Sequence, residues 1–197
     1  MAKAVKKAAK AKPAAKKKTA KAAKGVSLLI GTRKGAWLFH SDTARRTWRV
    51  DGPTFLGNVI NHVVRDDRGS GTLLMAAKTG HLGPTIFRST DKGKSWVEAK
   101  VPPAFRTVEG AGANGAAARA IDHSFWLSPG HASEPRVWWA GTSPPGLFVS
   151  TDDGVSWERV DGFNENAMYG KWCPPDSGTP DGALLNQIVI DPRDASH

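Results

Sequence analysis

Short apolar runs alternate with polar turns along the chain, and the runs recur in a fixed order. Three units each contain an apolar run, a tight loop, a second apolar run and a closing tryptophan. The first runs cover residues 28–32, 73–77 and 137–142, and the second runs cover residues 35–39, 85–88 and 146–149. Runs of this length, bounded by glycine-rich turns, are typical of β-strands. Each unit is therefore predicted to form a strand, a tight loop, a strand, a turn and a further short strand.

The turn that closes two of these units follows one eight-residue pattern, S-x-D-x-G-x-S-W. In this pattern we predict that the aspartate accepts backbone N–H groups inside a hairpin turn and that the glycine supplies a positive φ. The tryptophan is predicted to pack beneath the hairpin. A catalytic or calcium-binding aspartate is the alternative, but one carboxylate in each turn is too few for calcium. The predicted structural residues are Ser89, Asp91, Gly93 and Trp96 in one copy, and Ser150, Asp152, Gly154 and Trp157 in the next.

A degenerate copy of the pattern over residues 41–48 keeps Ser41 and Trp48, but it has Thr43 in place of the aspartate and Arg45 in place of the glycine. Further apolar runs precede two units at residues 60–64 and 121–127, and a third such run lies at residues 185–190. The closing tryptophans are spaced 48 and 61 positions apart. Units of four short strands repeating every ~40–50 residues are typical of β-propeller blades. The predicted fold is all-β, with about three and a half four-stranded antiparallel blades.

The sequence resembles the BNR/Asp-box β-propeller superfamily, which includes sialidases, sortilin-type receptor domains, xyloglucan-cleaving glycoside hydrolases and photosystem assembly factors. It most resembles the bacterial BNR-repeat proteins often labelled glycosyl hydrolase or exo-alpha-sialidase, through G-T-R-K-G at residues 31–35 and I-D-P at residues 190–192. The resemblance covers residues 26–197 and implies a propeller scaffold, with blades at residues 26–50, 58–100 and 119–160 and the start of a fourth at 184–197. It implies little about chemistry, because one scaffold supports unrelated functions.

Residues 1–25 form a separate segment that consists almost entirely of lysine, alanine, proline and threonine, with ten lysines and no acid before residue 25. The whole chain has 28 lysines and arginines against 18 acidic residues, so the remainder is formally neutral. The segment is too poor in apolar residues to form a core, and we expect a disordered tail. Contact with nucleic acid or another polyanion is one role for it. A merely solubilising extension is the other.

Cys173 is the single cysteine, so an internal disulfide is impossible and a reducing, cytoplasmic location is expected. No histidine lies near it in sequence, which favours a plain loop cysteine over a catalytic thiol. No stretch is apolar and long enough for a signal peptide or a membrane span.

The best candidates for ligand binding are polar residues at the start of each innermost strand. Inner strands line the central channel of a propeller, so these side chains are expected to converge at its mouth, opposite the S-x-D-x-G-x-S-W turns. The alternative is that they form hydrogen bonds between blades. Two histidines without a third ligand do not make a metal site, and neither a metal nor a cofactor is predicted. The candidates are Asn61 and His62, Asp122 and His123, and Asn186 and Gln187, together with Arg33, Lys78 and His81 from neighbouring loops.

Whether the protein is an enzyme stays open at this level. The resemblance to sialidases implies an arginine triad, a tyrosine nucleophile assisted by a glutamate, and an aspartate acid/base. The Arg-Ile-Pro motif of sialidases is absent, and the single tyrosine, Tyr169, lies in a predicted loop with Glu165 nearby. Asp122 has no second acid in register for a two-carboxylate glycosidase. The arginines available for a triad, Arg33, Arg106 and Arg119, are scattered along the sequence.

Three functional hypotheses follow. The first is a binding or assembly scaffold whose ligand is a carbohydrate or a protein. The second is a sialidase-like glycoside hydrolase with part of its catalytic set in blades outside this sequence. The third is a polyanion-associated protein that acts through its tail. Propellers close with about 4–8 blades, so the chain resembles the N-terminal fragment of a longer propeller. Its open strand edges are expected to favour self-association.

Overall fold

The computed structural model describes residues 25–107, 119–174 and 182–195. Residues 1–24 of the predicted tail lie outside these residues, and Gly25 begins the first strand. The regular secondary structure of the described chain is almost entirely antiparallel strand, in three separate sheets, with two four-residue helices. The predicted all-β fold of antiparallel blades is therefore confirmed. The boundaries assigned to the tail and to the individual blades stay a prediction. None of the helices in the described residues is long and apolar enough to cross a membrane.

The first sheet has three strands and the other two have four, and in each sheet consecutive strands are neighbours. The first sheet contains β1 (Gly25–Thr32), β2 (Gly35–Asp42) and β3 (Trp48–Thr54). The second contains β4 (Val59–Arg65), β5 (Leu73–Thr79), β6 (Gly83–Ser89) and β7 (Val97–Glu98). The third contains β8 (His123–Pro129), β9 (Trp138–Ser143), β10 (Leu147–Ser150) and β11 (Glu158–Arg159). The helices α1 (Asp161–Asn164) and α2 (Tyr169–Trp172) follow β11.

The predicted strand at residues 185–190 is not formed, and this prediction was wrong. The segment follows the third sheet, where the Leu185 backbone N–H donates to the carbonyl of Thr142 at 3.0 Å. A β-carbon on Gly141 would lie 2.5 Å from the Leu185 carbonyl oxygen, so the two backbones touch. A strand requires a partner whose backbone groups pair with its own along its length. None of the described segments pairs with residues 185–190 in that way.

Two apolar clusters lie between the sheets, one on each side of the second sheet. Alternate residues of β5 point to opposite faces, so this strand contributes to both clusters and its apolar run is nearly continuous. Between the first and second sheets lie Ala36, Leu38, Ile60, Val63, Leu73, Met75, Ala77 and Phe87. Between the second and third sheets lie Leu74, Ala76, Ile86, Ala99, Phe105, Leu127, Trp138, Ala140, Phe148 and Trp157.

The S-x-D-x-G-x-S-W turns are held by their own polar side chains. In the turn after β6, the Asp91 carboxylate accepts from the Ser95 amide at 2.9 Å and from the Ser95 hydroxyl at 2.6 Å. The Ser89 hydroxyl donates to the same carboxylate, and its oxygen accepts from the Gly93 amide. These hydrogen bonds, first those from Ser95, lower the pKa of Asp91 to about 2. The turn after β10 repeats the arrangement around Asp152.

Each complete turn also packs against the preceding sheet. A β-carbon on Gly93 would lie 2.7 Å from a terminal methyl carbon of Leu38, in the first sheet. Gly93 has φ +85°, a backbone conformation that residues with a side chain rarely adopt. The degenerate turn after β2 keeps a left-handed residue without glycine, since Arg45 has φ 55°. The Asp42 carboxylate accepts from the Arg45 amide at 3.0 Å, so a neighbouring aspartate contributes the side-chain acceptor there.

Candidate functional site

The sequence-predicted ligand residues lie at the sheet edge opposite the S-x-D-x-G-x-S-W turns. In the second sheet, Val59 at the start of β4 pairs with Lys78 near the end of β5. In the third sheet, His123 at the start of β8 pairs with Ser143 at the end of β9. Each inner strand therefore begins beside the loop that joins the next two strands, whereas the turns follow β6 and β10 at the other edge. We use the term mouth edge for the end of the sheets at which the inner strands, β4 and β8, begin.

A charged pair joins two sheets at the mouth edge. The Lys78 ammonium, on β5, lies 2.6 Å from the carboxylate of Asp122, just before β8. Both side chains are accessible, with 44% of Lys78 and 54% of Asp122 exposed to solvent. The other carboxylate oxygen of Asp122 lies 2.8 Å from Nδ1 of His123, whose ring is largely buried. The hydrogen bonds from Lys78 and then from His123 lower the pKa of Asp122, so this carboxylate is ionised at neutral pH.

Two of the predicted candidates form contacts between sheets. The Asn61 amide donates to the carbonyl of Ser124 at 3.0 Å. His62 accepts at Nδ1 from the Leu127 amide at 3.0 Å, and its ring stacks on Trp126 with 4.4 Å between the centroids. Burial lowers the pKa of His62, which keeps the imidazole neutral and able to accept this bond. These two side chains fix β4 against β8.

The remaining predicted candidates are exposed and are not gathered into one cluster. His81 lies in the turn between β5 and β6, and Arg33 lies between β1 and β2. Asn186 and Gln187 are exposed on the segment that follows the third sheet. In the described part of the chain, no hydrogen bond joins His81, Asn186 or Gln187 to the pair formed by Lys78 and Asp122. The structure thus brings Lys78, Asp122 and His123 into direct contact. His81, Asn186 and Gln187 are not part of this hydrogen-bonded group.

Arg119 is one of several arginines that are scattered along the sequence, but in the structure it lies at the centre of a cluster. Its guanidinium is 4.5 Å from the ring centroid of Phe105 and 4.6 Å from that of Tyr169. It donates to the Asn164 carbonyl at 2.7 Å and to the Glu165 carboxylate at 2.9 Å. These residues come from two long connections that are far apart in sequence. No signal in the sequence relates one connection to the other.

This cluster does not activate its tyrosine. The Tyr169 hydroxyl donates to the backbone carbonyl of Pro145, and not to Glu165. Burial raises the pKa of Tyr169, which opposes formation of the phenolate that a nucleophile requires. Glu165 is paired with Arg119 instead. The arrangement therefore lacks the tyrosine–glutamate contact that a sialidase-like reaction uses.

Metal and thiol chemistry find little support in the described residues. Nowhere in residues 25–107, 119–174 and 182–195 do three or more histidine, cysteine or acidic side chains gather closely enough to hold a metal ion. Burial raises the pKa of the half-buried Cys173 thiol. The thiolate is the reactive form of cysteine, so this shift disfavours a nucleophilic role.

The described geometry is similar to that of a known β-propeller. A GH74 xyloglucanase from Xanthomonas campestris superposes with a TM-score of 0.56 at 18% sequence identity, over 88% of this chain and 23% of that one. This chain thus spans about a quarter of the xyloglucanase. A structure of YCF48 bound to D1 peptide aligns with a TM-score of 0.39 at 13% identity, over 70% of this chain and 42% of that one. No protein-family model and no curated protein matches the sequence.

Proposed function

We propose that this partial β-propeller is a binding or assembly scaffold that holds a polar ligand at its mouth edge. The observation that carries the proposal is the pair of Lys78 and Asp122, which is accessible to solvent and bridges two sheets. The opposite edge is occupied by turns whose polar groups bond to one another. A ligand therefore finds available donors and acceptors at the mouth edge.

The pair is held rigidly enough to select a ligand. Lys78 lies on β5, whose preceding residues are fully buried, and the Asp122 amide donates to the Ser143 carbonyl at 2.8 Å. His123 fixes one carboxylate oxygen, and Asn61 ties the neighbouring inner strands together. Binding groups that are fixed before the ligand arrives lose less conformational entropy on binding. One ammonium and one carboxylate side by side suit the hydroxyl groups of a sugar, which donate and accept at adjacent positions.

A carbohydrate is the first ligand class to test, since the structurally similar xyloglucanase acts on xyloglucan. Titration of the ¹⁵N-labelled full chain with xyloglucan oligosaccharides is expected to shift the amide resonances of Lys78, Asp122 and His123. Asp122→Asn should weaken binding by roughly tenfold or more, because a hydrogen bond to a charged group contributes about 1.5–3 kcal/mol. Asp67→Asn is the matched control, because Asp67 is an exposed carboxylate bonded to Arg65 at the other edge.

A peptide array with D- and L-residue copies serves as the second arm of this experiment. If the chain binds L-peptides but not their D-copies, and Asp122→Asn abolishes this binding, the ligand is a protein. The proposal of a binding scaffold would then still hold. The scaffold proposal fails if neither saccharides nor peptides perturb the mouth edge. It also fails if Asp122→Asn and Asp67→Asn bind equally well.

The hydrolase alternative is less well supported. A glycosidase needs a carboxylic acid that stays protonated until it donates to the leaving group, so its pKa must be raised. The pKa of Asp122 is lowered instead, and Glu165 is paired with Arg119. Neither residue has the environment of a general acid.

We also assign the chain to the BNR/Asp-box group of bacterial propellers and place it in the cytoplasm. The two complete turns, with their bonded serine, aspartate and glycine, support the first assignment. The single cysteine is consistent with the second. The lysine-rich segment at residues 1–24 favours an additional role, in which the tail attaches the scaffold to nucleic acid or another polyanion.

A further inference from the structure

A serine, a histidine and an aspartate form a continuous row across the first sheet, away from the mouth edge. Ser27 lies on β1 directly opposite His40 on β2, and its hydroxyl oxygen is 3.0 Å from Nδ1 of the imidazole. The other ring nitrogen of His40, Nε2, lies 3.3 Å from the carboxylate of Asp51 on β3. All three residues line a cavity of about 830 Å³ between the first and second sheets.

We propose that this row is a nucleophilic serine site that hydrolyses small carboxylic esters. A serine hydroxyl is activated when a histidine accepts its proton and a carboxylate orients the histidine. With its Nε2–H on the side of the Asp51 carboxylate, 3.3 Å away, His40 presents the lone pair of Nδ1 to Ser27. The constellation is recognised by geometry and not by sequence order. The proposal is independent of ligand binding at the mouth edge.

The proposed reaction requires only the ester and water. The Ser27 oxygen bonds to the ester carbonyl carbon as its proton passes to Nδ1 of His40. The bond from that carbon to the alkoxy oxygen then breaks, and His40 gives the proton to the departing alcohol. Water attacks the acyl-serine in the same way and transfers a proton through His40 back to the Ser27 oxygen. The products are one carboxylic acid and one alcohol.

The walls of the cavity suit this chemistry. Its volume lies within the range of about 300–1,000 Å³ that is usual for small-molecule sites. Arg49 donates to the second oxygen of Asp51 at 2.8 Å and so holds the carboxylate in place. Lys92 and Lys94 also line the cavity, together with Asp66 and Asp67, and the two lysines are the groups proposed to stabilise the oxyanion of the tetrahedral intermediate. Ser27 is half-buried and remains accessible from the cavity.

A covalent probe gives the sharpest test. The full chain is treated with a fluorophosphonate, digested and examined by mass spectrometry, and the adduct is expected on Ser27. Ser27→Ala should abolish the adduct, and His40→Gln should slow labelling roughly 100-fold, the usual effect of removing a general base. Ser41→Ala is the control, because Ser41 lies near the end of β2 and its hydroxyl is bonded to the Thr47 carbonyl.

Hydrolysis of p-nitrophenyl acetate and butyrate provides the second readout, with product release measured for wild type, Ser27→Ala and Asp51→Asn. Loss of turnover in both variants, with melting temperatures equal to wild type, supports the triad. The wild-type labelling result decides the question even where a variant fails to fold. A folded wild-type chain that gains no adduct on Ser27 overturns the proposal, as does a Ser27→Ala chain that hydrolyses both esters at the wild-type rate.

Discussion

Gly154 of one turn sits directly against Leu74 of the preceding sheet, so that a β-carbon added to the glycine would lie 2.7 Å from a Leu74 methyl carbon. The same glycine has φ +85°. Because glycine has no side chain, Gly154 can adopt this positive φ and can also lie in contact with Leu74. The turn is thereby a contact between blades as well as a hairpin.

We expect Gly154→Val to destabilise the fold by more than about 1 kcal/mol, because a β-branched residue resists positive φ and would also displace Leu74. Thermal and urea unfolding of the variant measure the change. Gly162→Val is the control, since an added β-carbon there meets nothing within 4 Å and φ is not positive. An unchanged melting temperature for Gly154→Val would show that the turn tolerates a side chain.

The neighbouring residue, Asp153, ties the third sheet to the second through its buried carboxylate. It accepts from the Arg88 guanidinium at 2.6 Å, from the Thr72 hydroxyl at 2.9 Å and from the Trp138 indole at 3.0 Å. We expect Asp153→Ala to cost about 3 kcal/mol, because it leaves a partly buried arginine without its partner. Lys92→Ala is the matched control. Lys92 occupies the same position of the other turn at φ 65°, against φ 68° for Asp153. If both variants lose the same free energy of unfolding, the loss comes from the positive φ at this position and not from the hydrogen bonds of Asp153.

The S-x-D-x-G-x-S-W turns should make the fold sensitive to acid. Hydrogen bonds from Ser95 hold the folded pKa of Asp91 at about 2, below its ordinary value of 3.8. A depressed folded pKa contributes stability above the unfolded value, and this contribution is lost as pH falls through the folded value. We expect a constant melting temperature down to about pH 5 and a fall between about pH 4 and pH 2. Asp91→Asn should flatten that fall, and an equally steep fall in the variant would argue against this origin.

The first sheet presents an apolar surface on the side that faces away from the second sheet. Leu28 is paired with Phe39, and Phe39 with Val50, so these side chains share that side. Leu28 and Val50 are each 47% exposed. We expect the chain to self-associate through this surface, and light scattering after size exclusion measures the mass. Leu28→Lys combined with Val50→Lys should reduce association, whereas Val97→Lys, at an exposed site on β7, should not. A compact 21.0 kDa monomer with a sharp melt would contradict the expectation.

The positive charge of the chain is concentrated in residues 1–24, which contain ten lysines. Deletion of this segment should abolish retention on heparin and DNA, because the remaining 18 basic residues balance 18 acidic ones. Salt-gradient elution of both chains measures the effect, and the melting temperature should be unchanged. Retention of the shortened chain at moderate salt would place the binding surface on the sheets.

The sequence was sufficient to predict the antiparallel blades, because apolar periodicity and turn chemistry are both local properties. β5 illustrates this, since its unbroken apolar run reflects burial on both faces. The segment at residues 185–190 shows the limit, because its apolar residues predict a strand, whereas none of the described segments pairs with it and Val189 is 74% exposed. Apolar periodicity along a sequence favours a strand, but a strand forms only when its backbone groups pair with those of a neighbouring strand.

The candidate sites show a similar division. The tight turn between Thr32 and Gly35 sets the register that places Ser27 opposite His40, so that contact was accessible to sequence reasoning but was missed. The packing of Arg119 between Phe105 and Tyr169 was not accessible, since it depends on how two long connections meet in space. Asn61 and His62 were selected as polar residues on an inner strand. In the structure both bond to the adjacent inner strand, which matches the alternative of hydrogen bonds between blades.

The contacts of the S-x-D-x-G-x-S-W turns have a direction along the chain. The turn that contains Gly93 rests on Leu38, and the turn that contains Gly154 rests on Leu74, so each turn contacts the sheet that precedes it in sequence. A protein leaves the ribosome from its N-terminus, and its early parts begin to fold while later ones are still being made. Each new sheet therefore meets a docking surface that has already been synthesised. We therefore expect these blades to assemble in the order of translation, with the second and third sheets each anchored to the sheet before it.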